Sequence, residues 1–165
     1  MFLRPSDFTY FNQALLAKQL WRLWKSPDSL VAQIMKAKYY PDCSTLEAPL
    51  GKKPSFAWRS IQGTCNVVRE GLIWRVGNGE KIRIWTDKWI WSPSTYKVQS
   101  PPSVLDPDAT VSSLINNATN WWDEDLLNQV FSREEVRSIQ SMPISVTGQE
   151  AALIWRGTAN GVFFG

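Results

Sequence analysis

The sequence predicts a mainly α chain with β-hairpins, an α+β class. It should comprise an N-terminal three-helix lobe plus hairpin, a proline-rich connection, then short helices and a truncated C-terminal hairpin. Three observations predict this. Apolar residues recur at three- and four-residue spacing through the first seventy positions. Apolar and polar residues then alternate on both sides of Gly77-Asn78-Gly79, the pattern of strands joined by a tight turn. Finally Pro93, Pro101, Pro102 and Pro107 interrupt any regular element among serines and aspartates.

The first helix is expected over 9–25, with Ser6 or Asp7 as cap and Phe8, Phe11, Leu15, Leu16, Leu20, Leu23 and Trp24 as its inward stripe. Ser26-Pro27-Asp28 ends it and starts a second helix, whose apolar face is Leu30, Val31, Ile34 and Met35, with Tyr39 as a further candidate. That helix stops before Pro41, because the residue ahead of a proline leaves helical geometry. A loop follows to Lys53. Pro54 then opens a third helix with Phe56, Trp58, Ile61, Cys65 and Val68 inside and Gly71 as its stop.

Residues 72–76 and 81–85 are expected to pair as a hairpin, which would place Arg75, Lys81 and Arg83 near one another. Residues 92–110 read as a linker or a long wrapped loop. A short helix over 111–116 follows, and then another near 123–131 that Asn120 or Asp123 opens. The next begins at the capping box Ser132-Arg133-Glu134-Glu135, serine answering glutamate three residues on. Ala152–Arg156 and Val162–Phe164 flank a glycine turn as a second hairpin that breaks off in its returning strand. The expected division is 1–91 as a basic lobe, 92–110 as linker and 111–165 as an acidic segment.

Composition bounds the chemistry. With 44% hydrophobic and 20% charged residues, the chain can bury a core instead of staying disordered. Ten tryptophans suit anchors for small lobes, and base stacking is the sharper reading of an exposed indole. Zero histidines exclude Ser-His-Asp and Cys-His nucleophiles, and with two cysteines they exclude a Cys/His zinc site. Asp123-Glu124-Asp125 is the tightest acidic cluster and reads as a helix start, not a two-metal site. Gly77-Asn78-Gly79 lacks the third glycine or Gly-Lys-Ser/Thr of a phosphate loop. No cofactor, small-molecule substrate or membrane span is expected, and the chain reads as soluble and intracellular, with the nucleus the favoured compartment.

What remains is polyanion binding. Residues 1–91 carry fourteen Lys/Arg and seven acids, a net +7, whereas 92–165 carry four and eight, a net −4. A basic region beside an acidic one suggests a surface facing an RNA or DNA backbone, with a solvated charged surface as the plain alternative. The candidate residues are Lys18, Arg22, Lys36, Lys38, Lys52, Lys53, Arg59, Arg75, Lys81, Arg83 and Lys88.

The run Leu72–Gly79 followed by Ile82-Arg83-Ile84-Trp85-Thr86-Asp87-Lys88-Trp89-Ile90 resembles a signature of plant LINE-type (non-LTR) retrotransposon polyproteins. Phe11–Gln19 with Trp21-Arg22, Ala37–Pro41, Pro54–Ile61 and Leu153–Trp155 with Thr158 and Gly161 are similar to the same family in the same order. The resemblance implies the segment between the reverse-transcriptase domain and the zinc-binding and ribonuclease H-like segments. It implies a parent activity of RNA-directed DNA synthesis whose catalytic aspartates lie upstream and whose zinc ligands lie downstream, so no catalytic or metal residue is carried over. The expectation is a non-catalytic retroelement fragment with residual nucleic-acid binding. The alternatives are a domesticated RNA- or DNA-binding module and a protein-interaction piece prone to self-association.

Overall fold

The computed structural model describes residues 5–91, 95–145, 147–158 and 161–163. The chain forms two compact units, one made of 1–71 with 157–165 and the other of 72–156. The α+β class stands. The units divide differently from the expected segments, because the boundary falls at Gly71/Leu72 and the proline-rich stretch lies within the second unit.

The first unit holds α1 (Pro5–Lys25), α2 (Leu30–Tyr39), α3 (Phe56–Gln62) and α4 (Cys65–Gly71). Ser29 caps α2 by accepting from the Ala32 amide at 3.3 Å, and Ser55 caps α3 by accepting from Trp58 at 3.2 Å. The single third helix expected from Pro54 is instead two. At the break Thr64 donates its hydroxyl to the Ile61 carbonyl at 2.7 Å, competing with the helical ladder just after Gly63. The core centres on Trp58, stacked between Tyr39 and Tyr40 with ring centroids 5.0 and 5.2 Å away. That stack determines which side of α2 turns inward. Ala32, Met35 and Tyr39 share one helical face toward the core, so Leu30, Val31 and Ile34 face solvent at 72, 58 and 55% exposure. On α1 the buried stripe is Ala17, Leu20, Trp21 and Leu23, whereas Phe11 and Leu15 are exposed, as is Phe56 on α3. These apolar residues depart from the inward placement that periodicity predicts.

The second unit contains β1 (Leu72–Arg75), a 3-10 turn (Val111–Leu114), β2 (Ile115–Asn116), β3 (Trp121–Trp122), α5 (Glu124–Val130), α6 (Arg133–Gln140) and β4 (Ala152–Trp155). Among the described residues neither expected hairpin forms. Instead β1 pairs antiparallel with β4, with Leu72 opposite Trp155 and Arg75 opposite Ala152. Of the second hairpin's returning strand, Val162 and Phe163 are in no strand, Phe163 packs 5.9 Å from Trp21, and Phe164 lies outside the described residues. The glycine turn does bend the chain, through a Gly79 amide to Val76 carbonyl bond of 2.8 Å. Beyond it, however, Ile82 and Ile84 run beside residues 109–111. The Val111 amide donates to the Ile82 carbonyl at 2.9 Å, and the Ile84 amide to Ala109 at 3.1 Å. Burial of both isoleucines beside Val111 and Leu114 outweighs the local hairpin preference.

Residues 95–110 wrap this core rather than link separate parts. Val98 is buried in it, Leu105 and Ala109 pack on it, and the Trp89 amide donates to the Tyr96 carbonyl at 2.9 Å. Trp89 and Trp122 are the aromatic pillars of the core. Their indole N–H groups donate to Ile84 and Met142 carbonyls at 2.9 and 3.0 Å, so both are satisfied.

Candidate nucleic-acid interface

The eleven candidate cations divide between the units. Lys18, Arg22, Lys36, Lys38, Lys52, Lys53 and Arg59 lie in the first, and Arg75, Lys81, Arg83 and Lys88 in the second. All are exposed except Lys18 and Lys88, which are half-buried. The first unit holds ten basic and five acidic residues, a net +5, and the second holds eight and ten, a net −2.

Arg75, Lys81 and Arg83 do not form the shared polar face of a hairpin. Lys81 Nζ meets Glu150 at 2.5 Å and Arg83 meets Asp108 at 3.2 Å, so two cations of the second unit have local carboxylates. Arg75 lines a small cleft with Gln149 and Glu150. Several cations of the first unit have a structural reason for their positions. Arg22 ends α1, Lys36 and Lys38 end α2 and Arg59 ends α3, each complementing the negative end of a helix. No ion pair of the described residues engages Arg22, Lys36, Lys52, Lys53 or Arg59, so their charge still faces solvent.

Three further groups carry weight that the sequence reading did not assign. Lys25 Nζ sits 4.8 Å over Trp24 and 5.4 Å over Trp21, a cation–π arrangement. Arg69 donates to the Leu46 carbonyl, as does the Cys65 thiol at 3.1 Å, and burial pushes that thiol's pKa up. Glu135 closes the expected capping box on Ser132. It also accepts from the Gln99 and Ser100 amides at 2.6 and 3.2 Å and from the Ser100 hydroxyl, pinning the wrapped segment. Burial alone would raise its carboxyl pKa, but the bonds from Ser100, Gln99 and Ser132 outweigh it and hold the group below its ordinary range. The capping box is a local signal; the clamp spans thirty-five residues and has none.

Asp123 is the N-cap of α5, accepting from the Leu126 amide at 3.0 Å, with Glu124 and Asp125 in the first turn. The acidic cluster is thereby used as a helix start. Among the described residues no group of three or more His, Cys, Asp or Glu could hold a metal ion, and no helix is long and apolar enough to cross a membrane.

The chain is 39% identical over 84 residues to an uncharacterized mitochondrial protein of Arabidopsis thaliana, covering 51% of this chain and 54% of that protein. It is also 28% identical over 156 residues to an Arabidopsis thaliana protein named Putative ribonuclease H protein, covering 92% of this chain and 25% of the other. The chain thus spans about half the length of one curated relative and a quarter of the other. Both likenesses are to plant proteins and are consistent with a plant retroelement-related chain. No protein-family model and no solved structure matches it.

Proposed function

We propose that this chain is a non-catalytic segment of a plant retroelement polyprotein, from the region between reverse transcriptase and the zinc-binding and ribonuclease H-like segments. Its role is to hold a nucleic-acid backbone without reading sequence. The observation that carries the binding role is the excess of exposed cations without an ion-pair partner in the first unit, among them Arg22, Lys36, Lys52, Lys53 and Arg59, at net +5 against −2 in the second unit. Cations of this kind displace counterions from phosphates, so affinity should fall steeply with salt. The segment assignment is supported by the ordered motifs from Phe11 to Gly161 and by the match of 92% of the chain to a quarter of a longer plant protein.

Filter-binding titrations of single-stranded RNA and DNA at two salt concentrations test the binding role. Micromolar affinity at low salt, weakened at least about tenfold at high salt, is expected. Salt-insensitive binding, or none at micromolar protein, refutes it. A polymerase or nuclease assay with magnesium or manganese that gave clear turnover would overturn the non-catalytic reading. A protein-interaction role is the second reading, favoured by exposed Leu30, Val31 and Ile34 on α2. Concentration-dependent light scattering would support that one.

A further inference from the structure

A cavity of 410 Å³ opens on the first unit where α1, α2 and α3 meet. Its two walls differ in chemistry. Gln19, Arg22 and Ser26, spaced three and four apart on α1 and just beyond it, form a mainly polar wall together with the buried Leu23. Val31 and Met35 of α2 with Ile61 of α3 form a mainly apolar wall, which the α2 cap Ser29 joins. No acidic side chain lines the cavity, and the Gln19, Arg22 and Ser26 side chains are not engaged by other protein groups among the described residues.

A flat ligand with an apolar face and a hydrogen-bonding edge matches these walls. An unstacked nucleobase is such a ligand, and single strands display their bases in this way. The Gln19 amide offers both a donor and an acceptor, and the Arg22 guanidinium offers a fork of donors that also suits a phosphate. The Met35 thioether is polarizable and packs well on aromatic faces. We propose that this cavity holds one unstacked base of a single-stranded nucleic acid, its face on Val31, Met35 and Ile61 and its edge on Gln19 and Arg22. This rests on the binding role proposed above and adds a preference to it: base-bearing single strands over duplexes and over bare sugar-phosphate.

The test is fluorescence anisotropy of the full chain with three probes of equal length: oligo-uridine RNA, an abasic sugar-phosphate oligomer and an RNA duplex. The wild type should bind oligo-uridine about five- to tenfold tighter than the abasic oligomer, the scale of one sequestered base. Met35→Ala, which removes the face contact, and Gln19→Ala, which removes the edge contact without changing charge, should erase that difference and leave abasic affinity within about twofold. Should Met35→Ala unfold on a circular dichroism melt, Gln19→Ala decides alone. Equal binding of uridine and abasic probes by the wild type overturns the base site but leaves the backbone-binding role standing. Binding to none of the three overturns both. If the variants suppress light scattering while leaving the uridine preference intact, the cavity is a protein-docking groove and the base site is refuted.

Discussion

The two units bury their apolar residues to different degrees. Among the described residues, nine of the twelve large apolar side chains left in solvent belong to the first unit, against Trp91, Val104 and Trp121 in the second. The first unit's helices are helices by local pattern, yet much of that pattern faces water. The second unit's elements are short and its strands have no local signal for their partners, yet Ile82, Ile84, Trp89, Val111, Leu114 and Leu127 are all fully buried. The contrast separates two kinds of information. A helix is chosen by neighbours three and four residues away, whereas burial is chosen by the whole fold.

If the second unit is held by its core, Trp89→Ala should have the largest effect, about 3–5 kcal/mol from the cavity and the lost indole hydrogen bond. Chemical denaturation followed by near-ultraviolet dichroism would register it. A cost below 1 kcal/mol would mean that the core is looser than its burial suggests.

Backbone approach comes next. Gly77 has φ +55, and a Cβ there would lie 2.5 Å from the Gln149 carbonyl oxygen, so Gly77→Ala should cost about 1–3 kcal/mol or more. Ala at Gly148, also at positive φ but with nothing within 4 Å, is the control that isolates crowding from backbone conformation.

Glu135→Gln should cost about 1–3 kcal/mol at neutral pH by weakening the clamp on Gln99 and Ser100. Its carboxyl is held below the ordinary 4.5 in the folded state. The charge-linked part of its contribution is therefore complete well above 4.5 and fades as pH falls through the lowered folded value. Stability curves of wild type and variant should converge on acidification, and parallel curves would refute the assignment.

For the first unit, burial predicts that Cys65 resists a thiol reagent while half-buried Cys43 reacts under native conditions. Equal rates would show that this unit opens readily. Smallest of all, Leu30→Ser at 72% exposure should change stability by no more than about 0.5 kcal/mol and reduce any scattering.

Much of the helical scaffold was legible in the sequence. Capping by Asp123 and Ser132, the stop at Gly71 and the break before Pro41 all depend on chemistry within a few residues. Strand partners were not legible. The alternation in Leu72–Val76 correctly marks a strand, but nothing local says that its partner lies at Ala152–Trp155 and not at Lys81–Trp85. The fate of Leu30 and Val31 was hidden for a related reason. Their side of α2 is decided by Trp58 stacking on Tyr39 and Tyr40, a contact made with another helix. At the candidate interface, the cations could be named individually, whereas the acids that occupy Lys81 and Arg83 lie 69 and 25 residues away.

Pairing of Leu72 with Trp155 brings the first and last strands of the 72–156 unit side by side. Closing a loop of that length has an entropic cost of about 4 kcal/mol before any strand contact offsets it. On the ribosome, β1 must therefore wait for some eighty further residues to emerge, although the helices before it can form at once. The same closure makes the unit excisable in principle. A gene joining Gly71 directly to Gly157 would omit a loop whose two ends already meet, and the helical unit encoded by what remains would keep its sequence order.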